Sequence, residues 1–98
     1  MHAILYRWQV RDGHDEAFRQ GWRDLTESIR ARCGSFGSRL HRADDGSWVA
    51  YALWPDRATW QACHPDDPAA SALLAAAISA SDDPLHLDVV DDRIERGR

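Results

Sequence analysis

The side chains best suited to acid–base chemistry are a tyrosine and a histidine near the middle of the chain. Tyr51 lies in the stretch from Ser47 to Trp60, which carries three of the five tryptophans, and His64 follows that stretch. A buried tyrosine hydroxyl needs a hydrogen-bond partner, and imidazole exchanges protons near neutral pH. We therefore predict Tyr51 as a hydrogen-bond donor and His64 as a general base in catalysis. The alternatives are a structural tyrosine and an exposed loop histidine.

Five further side chains could bind a planar or anionic molecule. Trp60 could stack on an aromatic ring, and Trp22 and Trp54 could line a pocket wall. Arg39 and His41 could hold an anionic group. Each has a structural alternative, which is core packing for the tryptophans and a polar subunit interface for Arg39 and His41.

The residue types that bind metals lie at uninformative spacings. His86 and Asp88 form a His-x-Asp pair, but two ligands without a third are weak evidence, so we predict no metal site. Cys33 and Cys63 match no metal-binding or redox motif. We predict that both are reduced thiols in a cytoplasmic protein.

Composition argues against nucleic-acid and membrane partners. The 98 residues include 12 arginines, no lysine and 16 acidic residues, for a net charge of -4, and the charges are spread along the chain. A nucleic-acid surface needs clustered positive charge. The longest apolar run, from Leu73 to Ile78, is too short to span a bilayer, and no leader peptide is apparent. The length predicts one domain over residues 1–98.

The first third of the chain reads as a strand followed by a helix. Polarity alternates from His2 to Val10, which predicts a strand ended by the turn that follows. Asp12 is predicted to cap the helix, and Gly34 to end it in the left-handed conformation. The apolar stripe of this amphipathic helix is Phe18, Trp22, Leu25, Ile29 and Cys33.

The rest of the chain predicts two paired strands, two short helices and a last strand. Asp56 is predicted to cap a helix of about two turns after Pro55, with Trp60 packing back on that proline. Asp67 caps a second helix, expected to run to the break at residues 81–84. A strand follows from Leu85 to Val90, and the charged tail after it is predicted to fray.

Residues 36–43 and the strand after Gly46 are predicted to form a hairpin. Asp45-Gly46 is the sequence of a two-residue type I′ turn, so we expect Asp44 to pair with Ser47. The resulting register places Ser38, Arg39, Leu40 and His41 opposite Leu53, Ala52, Tyr51 and Ala50. One face would then hold Leu40, Val49, Tyr51 and Leu53, and the other Arg39, His41, Trp48 and Trp54. Both faces are apolar enough to meet the helices, so this pattern leaves that choice open.

The order strand, helix, strand, strand, helix pair, strand predicts an α+β protein of the ferredoxin-like split βαβ plan. We expect a four-stranded antiparallel sheet with the helices on one face. The apolar second face predicts a homodimer that packs through its sheets.

These features together resemble the antibiotic biosynthesis monooxygenase domain family. The residues that carry the resemblance are Val10-Arg11-Asp12-Gly13 leading into a helix with Phe18, then a strand ending in Trp54, a capped turn and Trp60. The resemblance covers nearly the whole chain. It implies a dimeric α/β barrel with a pocket between sheet and helices in each subunit. It also implies oxidation of a small aromatic phenol without a cofactor, in which the substrate anion itself reduces dioxygen.

The chain departs from the family pattern at two points. Many members have a histidine nine positions after the strand-end tryptophan, where this chain has Cys63, with His64 one step later. Haem-degrading relatives use an asparagine, and this chain has none. The competing hypotheses are a non-catalytic dimeric module that binds a small molecule or a partner, and, ranked lower, haem binding through His64 or His86.

Overall fold

The computed structural model describes residues 1–94. Among them, five strands and three helices follow one another in the order β1 (His2–Val10), α1 (Asp15–Cys33), β2 (Gly37–Arg42), β3 (Trp48–Trp54), α2 (Arg57–Gln61), α3 (Pro68–Ala77), β4 (Ile78–Ser81) and β5 (Leu85–Asp88). The tail from residue 91 to residue 94 has no helix or strand. The rest of the tail predicted to fray, residues 95–98, lies outside the described residues. No helix within residues 1–94 is long and apolar enough to cross a membrane.

The strands form one antiparallel sheet with the order β2-β3-β1, and β4 and β5 both lie along the outer side of β1. β5 pairs with the first half of β1, from His2 to Leu5, and β4 pairs with its end, from Trp8 to Val10. The sheet is therefore four positions wide, as predicted, and the fold is the expected α+β, ferredoxin-like plan.

The prediction that the second long helix continues to the break at residues 81–84 was wrong. α3 ends at Ala77, and Ile78 is already extended, with φ -82° and ψ 126°. The backbone N–H of Arg11 bonds to the Ala77 carbonyl oxygen at 2.8 Å, which holds the chain against the end of β1. The helical pattern from Pro68 to Ala77 is alanine-rich, and pairing with an open strand edge overrides its extension beyond that point.

The predicted hairpin register was also wrong, by one residue. Arg39 lies opposite Tyr51, Leu40 opposite Ala50 and His41 opposite Val49. The loop has three residues rather than two, because the N–H of Ala43 bonds to the Ser47 carbonyl oxygen at 2.9 Å. Gly46 takes the left-handed position, with φ 89°. A shift of one residue moves every side chain of β2 to the other face, so Leu40 joins the tryptophans, and Arg39 and His41 join Tyr51.

The face of β3 that carries its two tryptophans is the one that meets the helices. Trp48, Ala50, Ala52 and Trp54 are at most 9% exposed. Trp48 packs with Phe18 of α1 in one cluster, and Trp54 packs in a second cluster with Ile4 and Ala52. All three helices therefore lie on this face, as predicted.

We call the opposite side of the sheet the open face. Ala3 on this face is buried and Leu85 is exposed, while the other apolar side chains are half-buried. The half-buried apolar residues and the basic residues among them are Leu5, Val49, Tyr51, Leu53 and Leu87 with Arg7, Arg39 and His41.

The helix caps predicted from the sequence are confirmed in part. Asp56 and Asp67 cap α2 and α3 as predicted, since their carboxylates accept from the N–H groups of Thr59 and Ala70 at 2.7 and 3.1 Å. The prediction that Asp12 caps α1 was wrong. The N-cap residue is His14, which makes no side-chain capping bond. Gly34 ends α1 with φ 75°, as expected for a left-handed C-cap.

The two cysteines are joined, which corrects the prediction of reduced thiols. Cys33 and Cys63 form a disulfide with their Cα atoms 5.3 Å apart. The end of α1 and the residues after α2 meet in the fold, although they lie far apart in the sequence. Cysteine spacing along the chain carries no signal of such a meeting.

Candidate functional site

The strongest grouping of ionisable and aromatic side chains lies under α2, on the helix side of the sheet. We call His2, Tyr6, Trp60 and His86 the histidine–tryptophan cluster. His2 and Tyr6 share one face of β1 because residues of equal parity point the same way. His86 of β5 lies opposite Ile4, on that same face, and α2 brings Trp60 over it.

The two histidines are hydrogen-bonded to each other. The distance between His2 Nε2 and His86 Nδ1 is 2.8 Å, and the rings stack with their centroids 5.1 Å apart. His2 is only 3% exposed, whereas His86 is half-buried. The second nitrogen of His2, Nδ1, is buried with no hydrogen-bond partner among residues 1–94, and the Asp88 carboxylate lies 4.0 Å from it. His86 Nε2 has no hydrogen-bond partner within the described residues either.

Burial favours the uncharged form of two members of the cluster, and nearby positive charge favours it further for one of them. The pKa of His86 is lowered from its ordinary 6.5, first by burial, then by the positive charge of Arg57, and then by His2. Burial raises the pKa of the Tyr6 hydroxyl, and hydrogen bonding to the Trp60 side chain acts in the opposite direction. These shifts favour a neutral imidazole and a protonated phenol, side by side with an indole.

The tryptophan faces both histidines. The ring centroids of Trp60 and His86 are 4.5 Å apart in an edge-on arrangement, and those of Trp60 and His2 are 6.5 Å apart. Trp54, another predicted binding residue, is 3% exposed and packs in the same core as Trp60. Two of the predicted binding residues, Trp54 and Trp60, therefore lie in this region.

The sequence analysis did not name His2 or Tyr6 as site residues. A signal was available, because both lie on the same face of β1 as the core residue Ile4. A single strand pattern does not show that residues near position 86 pair beside them, so the histidine pair could not be found from β1 alone.

The other predicted site residues lie elsewhere. Trp22 is half-buried on α1 and lines a groove of about 430 Å³ between α1 and β2. Tyr51 and Arg39 line a groove of about 300 Å³ on the open face. His41 is also on that face, where its Nδ1 lies 3.1 Å from the Val49 carbonyl oxygen.

His64 is exposed and lines a third groove, of about 520 Å³, with both cysteines of the disulfide. Tyr51 lines the open-face groove instead, so the fold does not bring the two predicted catalytic residues into one groove. Within residues 1–94, no group of three or more histidine, cysteine, aspartate or glutamate side chains could hold a metal ion.

Residues 1–72 match the model of a protein family described as antibiotic biosynthesis monooxygenase. This chain belongs to that family. Since the match covers most of the chain, it includes β1, the hairpin and the helix that carries Trp60. Among curated proteins the sequence has no significant match.

Solved structures similar to this fold include three that each align over almost their whole length. SnoaB from Streptomyces nogalater, described as a cofactor-independent oxygenase, is 17% identical with a TM-score of 0.77, over 96% of this chain and 97% of SnoaB. Rv0793 from Mycobacterium tuberculosis is 18% identical with a TM-score of 0.73, over 95% and 98% of the two chains. PA3566 from Pseudomonas aeruginosa is 19% identical with a TM-score of 0.68, over 92% and 94%. At these identities the likeness shows a shared fold.

Proposed function

We propose that this monooxygenase-family protein oxidises an electron-rich aromatic phenol with dioxygen, without a cofactor, at the histidine–tryptophan cluster. The observation that carries the proposal is the 2.8 Å contact between His2 and His86 beside Trp60, in surroundings that keep His86 neutral. A neutral imidazole with one nitrogen held and the other without a partner is the arrangement of an oriented general base. The description of SnoaB as a cofactor-independent oxygenase supports the reaction class.

One tautomer of the histidine pair makes His86 a base. If His86 Nδ1–H donates to His2 Nε2, then His86 Nε2 carries a lone pair that can accept a proton. His2 then bears its own proton on Nδ1, the atom 4.0 Å from the Asp88 carboxylate. Asp88 favours this tautomer because a carboxylate attracts an N–H rather than a lone pair. His2 is therefore a positioning residue, and His86 is the proposed catalytic base.

The proposed reaction needs only proton transfer and dioxygen from outside the substrate. His86 Nε2 removes a proton from an anthrone-like phenol, and the resulting carbanion forms a bond to one oxygen atom of O₂. The imidazolium returns the proton to the distal oxygen, which gives a hydroperoxide. Loss of water, with cleavage of the O–O bond and of the remaining C–H bond at that carbon, leaves a ketone. Dioxygen is reduced and the carbon is oxidised, so the electrons balance.

Trp60 and Tyr6 have supporting roles in this proposal. The indole of Trp60 borders the His86 ring, so once it moves away from that ring it can stack on the ring of the substrate. The raised pKa of Tyr6 keeps its hydroxyl protonated, so it can donate a hydrogen bond to the oxyanion as negative charge develops. Both groups act by position and electrostatics, which is sufficient for a substrate whose anion reacts with dioxygen directly.

We also propose that a second copy of the chain covers the open face. The support is that Leu5, Tyr51 and Leu53 are apolar and only half-buried there, on a sheet whose other face is packed by helices. A symmetric pair of such faces would bury both sets of side chains.

The test is oxygen consumption with a panel of anthrone-like phenols. We expect His86→Gln to lower kcat/KM by roughly 10²-fold to 10⁴-fold, the usual contribution of a general base. Tyr51→Phe and His64→Ala are the matched controls and should retain activity. A large loss in either control with full activity in His86→Gln would place the base at the residues first predicted from sequence.

The pH profile adds a second readout. Because His86 must be neutral to act, kcat/KM should rise with pH and level off above the lowered pKa of His86. Arg57→Gln removes the positive charge that lowers this pKa, so the inflection should move to higher pH. An unmoved inflection would mean that another group controls the rate.

Two outcomes would favour the competing functions. Oxygen uptake no faster than the uncatalysed reaction with every substrate, both with the Cys33–Cys63 disulfide intact and with it reduced, would favour a non-catalytic binding module. A shift of the haem Soret band on adding haemin, lost in His86→Ala or His64→Ala, would favour haem binding.

A further inference from the structure

The disulfide holds down the segment that carries Trp60. It joins Cys33, the last residue of α1, to Cys63, two residues after the end of α2. Both cysteines are half-buried, and they pack on the same core cluster as Trp60. The bond therefore anchors the segment just after α2 to the end of α1.

Besides the disulfide, α2 is held chiefly by Trp60, which packs against the core cluster. The helix has five residues and none of them is buried. The residues from Ala62 to Asp67 that follow it form no helix or strand. The ion pair between Arg32 and Asp66 is 3.9 Å long and joins two exposed side chains, so it adds little. The disulfide is thus the main covalent or polar link between α1 and this segment.

The disulfide is also reachable from solvent. Both cysteines line the groove of about 520 Å³, and Arg32 and His64 line it with them. A positive guanidinium near a sulfur stabilises the thiolate that leaves when a disulfide is attacked. The imidazole of His64 can accept or donate the proton that a thiol loses or gains.

We propose that Cys33–Cys63 is a site of thiol–disulfide exchange with a dithiol reductant, and that its reduction releases α2. One thiolate of the dithiol attacks a cystine sulfur, forming a mixed disulfide and expelling the other cysteine as a thiolate. The second thiol of the dithiol then displaces the remaining cysteine and closes its own disulfide. Two electrons pass from the dithiol to the protein, and the cysteine thiolates take up protons from solvent.

The consequence for catalysis rests on the proposed function. Trp60 lies 4.5 Å from the His86 ring, so it occupies space that a planar substrate needs in order to reach His86. Once α2 is no longer tied to α1, Trp60 can move aside. The oxidised protein is then the closed state and the reduced protein is the open state.

The first experiment follows the redox reaction in the native wild-type protein. The protein is equilibrated in buffers with graded ratios of reduced to oxidised dithiothreitol, alkylated, and weighed intact by mass spectrometry. We expect the fraction with two alkylated thiols to follow the ratio reversibly. Alkylation that occurs only after unfolding in guanidinium would overturn the proposal, since the disulfide would then be an inert structural bond.

The second experiment locates the released segment. Hydrogen–deuterium exchange should speed up on reduction across residues 56–67, with the middle of α1 unchanged. The Cys33→Ser, Cys63→Ser double variant should exchange quickly there at every dithiothreitol ratio. Equal exchange in the oxidised and reduced wild type would overturn the release of α2, whether or not the double variant folds.

A third measurement tests the flanking charge. Arg32→Gln should slow reduction by roughly threefold to tenfold, because it removes the cation that stabilises the leaving thiolate. Arg30→Gln is the matched control on the same helix, since Arg30 pairs with Glu27 and lines a different groove. Equal rates for both variants would contradict a role for Arg32.

Oxygen uptake is measured separately in both redox states. Reversible reduction with faster exchange but no oxygen uptake would support the redox site and refute the proposed oxygenase. Oxygen uptake that depends on His86 but is the same in both redox states would support the oxygenase and overturn the control of access by the disulfide.

Discussion

Gly21 of α1 should not tolerate even one additional methyl group. A Cβ atom at this position would lie 3.0 Å from Leu73 Cβ, 3.0 Å from Leu74 Cγ and 3.1 Å from the backbone oxygen of Ala70. Carbon atoms in contact prefer roughly 3.5–4 Å, so α1 and α3 would have to separate. The closeness of the two helices at Gly21 therefore depends on the absence of a side chain.

The sign of the Gly21→Ala effect is set by two opposing terms. Alanine is favoured over glycine inside a helix by about 0.5–1 kcal/mol. Overpacking a well-filled core costs typically about 1–3 kcal/mol. Two of the three close neighbours are backbone or Cβ atoms that no rotamer change can move, so the cost should exceed the gain. We expect a net loss of roughly 1–2 kcal/mol in the free energy of unfolding.

Urea unfolding followed by tryptophan fluorescence measures the change. The matched control is Ala31→Gly at an exposed position of the same helix, which should lose about 0.5–1 kcal/mol and so reports the propensity term alone. In a Leu74→Ala background, which removes one of the close atoms, Gly21→Ala should cost less. A Gly21→Ala protein more stable than wild type would refute the reasoning, since the helix propensity of alanine would then outweigh the cost of the close contacts.

Three further predictions follow from the caps, the hairpin loop and the open face. Asp67→Ala removes the acceptor for the Ala70 N–H and should lower the free energy of unfolding in urea by about 1 kcal/mol. An unchanged unfolding midpoint would show that this cap does not stabilise the protein. Hydrogen bonds from Ser47 lower the pKa of Asp45 below its ordinary 3.8. The stability advantage of wild type over Asp45→Asn should therefore be complete above that value and disappear as pH falls through the lowered pKa. An advantage that grows as the pH falls below 3.8 in the same unfolding series would contradict this sign. Leu53→Asp on the open face should convert the proposed dimer to a monomer in sedimentation equilibrium, whereas Ala31→Asp on α1 should not. Wild type that sediments as a monomer at micromolar concentration would overturn the dimer.

Local patterns were sufficient for most of the elements. Alternation from His2 to Val10 predicted β1 with its observed bounds, and Asp56 and Asp67 predicted the starts of α2 and α3. These features depend on neighbours within four residues, so their physical cause is contained in the sequence itself.

The errors arose where distant segments compete with local preference. The helical pattern at Ile78 loses to strand pairing with the end of β1, and the Asp45-Gly46 turn opens by one residue to place Leu40 rather than Arg39 against the helices. In both cases burial or sheet pairing, which involves residues far along the chain, outweighs the local signal.

For the candidate site too, some features follow from the sequence and others only from the fold. The sequence by itself determined the family, the ferredoxin-like plan and Trp60 as an aromatic residue of interest, because those depend on residue order and periodicity. Only the tertiary structure decided which face of β3 meets the helices, and it also joined Cys33 to Cys63 and His2 to His86. The two histidines are 84 positions apart, and no spacing rule links them along the chain. They meet because β5 pairs with the beginning of β1, and this pairing forms only when the sheet assembles.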